Sequence, residues 1–277
     1  MSSLTGTSAT APDLRPWVGL MVRLGYAAKG LIYLLIGTLA VRLAFGLDGG
    51  RVTDASGALR VVLKQPFGLL LIGVIAVGIL TYSAWQIIEG LLDTRHKGSN
   101  ARGRIERALT IIKGAVYGAV GWEALQLVLG QRGGSQSADD YARDVMRVPF
   151  GHWFFALVGL GVGIYGVLQI WKAWQGQFDD DVDAPRMRRE VGAWALAVGR
   201  AGTAGRGVIL AVMGLLLTRA GLDRRPSQAG GMTDSLWTLM SQPYGAWLLA
   251  AAAAGLVCFG IFQLLHWRYA RLAPLPR

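Results

Sequence analysis

Residues 23–37 read RLGYAAKGLIYLLIG, and this stretch returns twice more along the chain. Arg23, Lys29-Gly30 and Gly37 correspond to Arg107, Lys113-Gly114 and Gly121, and again to Arg200, Arg206-Gly207 and Gly214. A second block follows each copy. Gln65-Pro66-Phe67-Gly68 matches Val148-Pro149-Phe150-Gly151 and Gln242-Pro243-Tyr244-Gly245. Then Gly78, Tyr82 and Gln86 match Gly161, Tyr165 and Gln169, and Gly255, Phe259 and Gln263. A fixed order of matches over such a period marks a tandem array of one supersecondary unit.

Hydropathy gives the unit its identity. Phe150 to Trp171 and Ser235 to Trp267 contain no Asp, Glu, Lys or Arg. A helix needs roughly 20 apolar residues to cross a bilayer core, and both runs are long enough. The composition agrees, with 53% hydrophobic and only 16% charged residues and a mean hydropathy of +0.40. Each unit reads as helix, loop, helix, with spans near 20–45 and 66–92, 107–130 and 149–174, and 194–220 and 243–268. The fifth span is the weakest, because Arg206 interrupts it.

The expected fold is therefore all-α: six transmembrane helices in three tandem hairpins, with a pseudo-threefold axis along the membrane normal. The divisions are a disordered tail at 1–16, unit one at 17–93, a linker at 94–106, unit two at 107–175, a charged linker at 176–193, unit three at 194–270 and a tail at 271–277. Lys and Arg are more frequent on the side that holds both termini, which places the termini in the cytoplasm by the positive-inside rule. The net charge of +11 is read as this topology signal, and nucleic acid is not expected as a partner.

The outer loops carry Thr53-Asp54, Ser137 to Asp140 and Thr233-Asp234, which look like helix N-cap clusters. Each precedes a short amphipathic stretch suited to the membrane interface. The prolines at 66, 149 and 243 then fit the first turn of the next span.

The pattern Arg-x-Gly-Tyr-x-x-Lys-Gly-x-x-Tyr at 23–33, with Gln-Pro-Phe-Gly at 65–68 and threefold repetition, resembles the bacterial membrane family catalogued as domain of unknown function 1206. The resemblance implies a six-helix protein of the bacterial inner membrane and implies no activity. Copies two and three depart from it at Thr110 and Thr203, in place of Tyr26, and at Leu210, in place of Tyr33.

The candidate site is polar and lies within the spans. Lys29, Lys113 and Arg206 each lie six residues beyond a boundary arginine, roughly 9 Å deeper at 1.5 Å per residue. Charges at that depth are costly and mark partners or function. Gln86, Gln169 and Gln263 enter from the same side on the second helices, each four residues after Tyr82, Tyr165 or Phe259 and hence on one face. Together these residues form a candidate cytoplasm-side ring for an anion, a lipid headgroup or a permeating solute. The leading expectation is a non-enzymatic membrane protein that binds an anionic small molecule or lipid headgroup there, with a channel or transporter as one form of it. The alternative is structural: long cations reach the interface and the glutamines bond neighbouring helices, in a scaffold with no activity of its own.

Other chemistry is poorly supported. Cys258 is the one cysteine, and His96, His152 and His266 are the only histidines, the last two at opposite ends of their spans. No metal site, cofactor or catalytic constellation follows from them, and an enzyme is not expected. Glu123 is the single carboxylate deep in a span, read as pairing with a cation, carrying a proton or reaching outward. Glu89, Lys172 and His266 align as an interfacial charge set. The run Asp179 to Asp183, followed by Arg186, Arg188 and Arg189, reads as a solvated linker whose basic half meets anionic lipid. The bilayer and its anionic headgroups are the expected partners.

Overall fold

The computed structural model describes residues 15–93, 100–131, 138–176 and 184–269. Six long helices organise it: α1 (Arg15–Ala44), α3 (Gly68–Leu92), α4 (Ala101–Val128), α6 (Gly151–Gln175), α8 (Ala193–Leu222) and α10 (Gly245–Tyr269). Between them lie the short helices α2 (Ala55–Leu63), α5 (Ala138–Met146), α7 (Ala184–Glu190) and α9 (Met232–Met240). No strand occurs among the described residues.

Five segments are long and apolar enough to cross a membrane: Arg23–Ala44, Gly68–Leu92, Gly151–Gln175, Ala193–Leu222 and Gly245–Tyr269. The protein is thus built as a membrane-embedded helical bundle. The expected weak span, α8, qualifies. The helix that falls short is α4, which carries Arg104, Glu106, Arg107, Lys113 and Glu123. It also begins six residues earlier than expected, inside the segment read as a linker. The cause is local: the Asn100 side chain accepts a hydrogen bond from the Gly103 N–H at 2.8 Å, capping the first turn.

The corner before each second span repeats. Pro66, Pro149 and Pro243 stand two residues ahead of α3, α6 and α10, so they end the preceding turn and do not occupy the first helical position. Next comes an aromatic residue in the left-handed region, Phe67 (φ 60°), Phe150 (φ 62°) or Tyr244 (φ 61°). That conformation costs a side-chain-bearing residue about 1 kcal/mol or more. A glycine follows because nothing larger fits. A Cβ on Gly68 would lie 2.2 Å from the Val62 carbonyl oxygen, and one on Gly151 or Gly245 only 1.8 Å from that of Val145 or Met240. The expected caps are partly realised. Asp54 caps α2 by accepting from Gly57 N–H at 2.8 Å, whereas Asp234 lies inside α9 and reaches back to Gly231 N–H at 2.8 Å. Ser137 lies outside the described residues.

Packing runs mainly between units. The closest pairings are α3 with α4, α6 with α8, and α10 with α1, each joining the second helix of one unit to the first helix of another. One pair of sequence positions makes all three contacts. A Cβ on Gly30 would meet the Gly260 carbonyl oxygen at 2.9 Å, and one on Gly207 would meet that of Gly166 at 2.8 Å. At the third junction a Cβ on Gly114 would lie 3.0 Å from the Ser83 carbonyl oxygen, and the Ser83 hydroxyl donates to the Gly114 carbonyl at 2.7 Å. Small residues let backbones approach where lipid offers no hydrophobic drive to associate. Gly214 is tighter still, its Cβ position 2.2 Å from Gly163 N, whereas Gly73 has open space. Gly214→Ala is therefore expected to destabilise the bundle by about 2 kcal/mol or more. Gly73→Ala should be neutral or stabilise by up to about 1 kcal/mol. Thermal unfolding of the two variants in detergent checks the contrast.

The charged segment before α8 is not simply a solvated linker. Its acidic run lies outside the described residues, but its basic half forms α7, with Met187 fully buried against Phe262 and Tyr269 of α10. Glu190 fastens this helix. It accepts from Arg186 Nε at 2.8 Å and from the Tyr269 hydroxyl at 3.0 Å, with Arg268 at 3.6 Å. The Arg186 hydrogen bond, then that of Tyr269, holds the Glu190 carboxyl below the usual carboxylate range. A depressed carboxyl stabilises fully above its unfolded value and loses that contribution as pH falls through the folded one. Amide exchange over residues 185–190, taken relative to the intrinsic rate at each pH, should thus be slow at neutral pH and quicken as acid protonates Glu190. Glu190→Gln should quicken it already at pH 7.

Candidate functional site

Lys29 sits on α1, the helix that touches both α3 and α10, and is 6% exposed. Its ammonium is enclosed by rings from all three units: Tyr82 of α3 at 5.5 Å, Tyr117 of α4 at 4.8 Å and Phe259 of α10 at 5.5 Å. Arg206 of α8 approaches the same Phe259 ring at 5.0 Å and the Tyr33 ring at 5.9 Å. Its Nε donates to the Tyr33 hydroxyl at 3.3 Å. Aromatic faces attract cations by about 2 kcal/mol or more where water is excluded. Two of the three predicted cations therefore converge on a single ring, that of Phe259.

Tyr82 is buried and packs edge-on against Tyr26 and Tyr117, with centroids 5.3 Å apart in each case. Lys113 is half-buried on α4, one turn before Tyr117. The glutamines lie at the junctions between units. Gln86 is beside Gly114 and Gln169 beside Gly207, each Cβ just over 3 Å from the glycine's own Cβ position. Gln263 is buried at the equivalent place on α10. Gln169 also donates to the Tyr165 hydroxyl at 3.3 Å, along one helical face as its spacing requires.

Tyr33 and Tyr117 are the residues that sequence reasoning passed over. Each follows its cation by four residues, Lys29 or Lys113, and so shares its helical face. That signal lay in the repeat itself. Phe259 was read only as a variant of Tyr82, yet the missing hydroxyl leaves an apolar ring for both cations to share.

Glu123 pairs with a cation, as one reading of the sequence expects, whereas the set of Glu89, Lys172 and His266 resolves differently. Glu123 turns toward α2, where it accepts from the Ser56 hydroxyl and faces Arg60 at 3.7 Å. It thus ties α4 to α2. Glu89, Lys172 and His266 are not one interfacial set. Glu89 and His266 are buried, with His266 stacked on Tyr26 at 5.0 Å, and only Lys172 is exposed.

A second cationic cluster lies at the loop end of the bundle. Arg143, Arg147, His152 and Arg224 line a cleft of about 340 Å³, with Arg224 3.3 Å from the His152 ring. Clustered guanidinium groups concentrate anions in such a cleft. No group of three or more potential metal ligands occurs among the described residues.

The central cluster makes Phe259 a testable keystone. Phe259→Leu keeps an apolar side chain but removes both cation contacts, with an expected loss of about 2–4 kcal/mol. On a Lys29→Gln/Arg206→Gln background the same change should cost clearly less. A double-mutant cycle in detergent measures the difference.

Comparison with known proteins places the repeat in a wider group. Residues 24–93, 110–176 and 201–270 each match the family model described as Domain of Unknown Function (DUF1206). The chain is 31% identical over 257 residues, 93% of each protein, to an uncharacterized protein of Bacillus subtilis (strain 168), YxxB. No solved structure matches.

Proposed function

The chain belongs to the DUF1206 family, and from its own geometry we propose that it is a non-enzymatic membrane protein that binds an anionic small molecule or lipid headgroup at its central cation cluster. One observation carries this reading: Lys29 and Arg206 both lie within 5.5 Å of the Phe259 ring. Like charges drawn together in a low-dielectric interior repel, and an anion held between them relieves that cost. The Tyr33 hydroxyl beside Arg206 supplies a neutral donor for the same guest.

In this proposal all six long helices cross the membrane around a pseudo-threefold axis. The support is the common use of Gly30, Gly114 and Gly207 at the three junctions, with α4 lying along α3 as α8 lies along α6. The excess of Lys and Arg on the side of the termini supports cytoplasmic termini in a bacterial inner membrane. The enclosure of Lys29 by three rings favours binding over passage, so a receptor-like role fits the site better than a channel or transporter. The same enclosure favours a second reading, in which the rings alone satisfy the cations and the protein is a scaffold.

Phosphate titration of the purified protein in detergent separates the two. Binding is expected to raise thermal stability, by about 1.4 kcal/mol at ten times Kd. Replacing Lys29, Lys113 and Arg206 together by Gln should abolish the rise. An equal rise in that variant overturns the binding reading, and no rise in either protein, with a partner co-purifying in fixed ratio, supports the scaffold.

A further inference from the structure

The three units are not equally closed. In units one and three the two helices of the hairpin touch through glycine. A Cβ on Gly25 of α1 would lie 2.4 Å from Tyr82 Cβ of α3. Likewise Gly202 and Gly205 of α8 press on Phe259 and Gly255 of α10, at 2.4 Å and 2.6 Å. In unit two α4 and α6 make hardly any contact. The residues that correspond to Gly25, Ala28 and Ile32 are Leu109, Ile112 and Val116, and they are 49%, 58% and 60% exposed. Across from them Gly161, the counterpart of Gly78 and Gly255, has no atom within 4 Å of its Cβ position. Val158 and Leu168, on the same α6 face, are 43% and 50% exposed, whereas their counterparts Ile75, Trp85, Ala252 and Phe262 are buried.

The sequence makes this opening. Every close helix contact described above is built on glycine, alanine or serine, and α4 replaces two of those positions with Leu109 and Ile112. Such branched side chains hold a neighbouring helix backbone away and present an aliphatic stripe, the surface that an acyl chain covers. Charge then selects the head of the occupant. The stripe on α6 runs Val158, Gly161, Tyr165, Leu168 and ends at Lys172, exposed where the equivalent Glu89 and His266 are buried. A lysine at the end of an apolar membrane groove complements a phosphate-bearing headgroup.

We propose that the seam between α4 and α6 is a lateral binding site for an anionic phospholipid, with an acyl chain along Leu109, Ile112, Val116 and Leu168 and the headgroup phosphate at Lys172. The site rests on the asymmetry of unit two and stands whether or not the Lys29–Arg206 cluster binds an anion.

Native mass spectrometry of the full chain tests it, with phosphatidylglycerol and phosphatidylcholine of identical chains as probes. One phosphatidylglycerol per protein is expected to remain bound in preference to phosphatidylcholine, and excess inorganic phosphate should not displace it. Lys172→Gln should weaken phosphatidylglycerol binding about fivefold and phosphatidylcholine binding less, because the choline ammonium already compensates that phosphate. Gly161→Leu fills open space, so it should fold normally by thermal unfolding and lose the bound lipid. The Lys29→Gln/Arg206→Gln variant should keep it. Undiminished lipid retention in Gly161→Leu, or equal retention of the two lipids by the unaltered protein, overturns the proposal. So does cross-linking between copies through Leu109→Cys, since a second chain would then occupy the seam.

Discussion

Contact between helix backbones, permitted by the absence of a side chain, is the constraint on which the bundle depends. In a bilayer the surrounding lipid is as apolar as the helices, so apolar burial gives little reason for helices to associate. What remains is close packing and the occasional polar bond, and both are available only where the backbones come within reach. Gly30 against Gly260 and Gly166 against Gly207 supply that approach twice, and the Ser83 hydroxyl on the Gly114 carbonyl supplies its polar version. With those junctions fixed, the side chains one residue earlier, Lys29 and Arg206, have no choice but to point into the space the units enclose.

That enclosure explains why charged residues are tolerated there. An isolated ammonium in a bilayer interior is expensive, and the three aromatic faces around Lys29 offer it distributed negative potential. The arrangement draws on every unit at once: α1 gives the lysine, while α3, α4 and α10 give the rings. The cation cluster is thereby also a tie among units, and its integrity reports on the assembly of all three.

Much of this was legible in the sequence. The repeat, the long helices and the short amphipathic helices follow from spacing and hydropathy alone. The membership of Gln86 and Gln169 in the inter-unit junctions did not, because spacing along one helix fixes a face but not the neighbour it meets. The αL aromatic corners are hidden for a related reason: Pro-Phe-Gly is compatible with a helix start, and the closeness of the Val62 carbonyl to Gly68 exists only in the folded chain. The weakness of α4 was overlooked since uncharged runs, not charge per helix, guided the reading. The open seam was visible in principle. Leu109 against Gly25 and Gly202 is a difference within an alignment of the chain with itself, and such departures from internal symmetry carry information that the shared positions do not.

The pairing of α10 with α1 has a further consequence, for the order in which the protein is made. A ribosome delivers α1 first and α10 last, with more than two hundred residues between Gly30 and Gly260. The α3–α4 and α6–α8 pairs can form as they emerge, since each joins neighbours in the chain. The face of α1 that bears Gly30 and Gly37 must wait in lipid, or against a chaperone, until α10 has been made. Long-range closure of this kind is the slow step in assembling a chain. Helix α10 therefore acts as the clasp, and a chain that lacked it would strand α1.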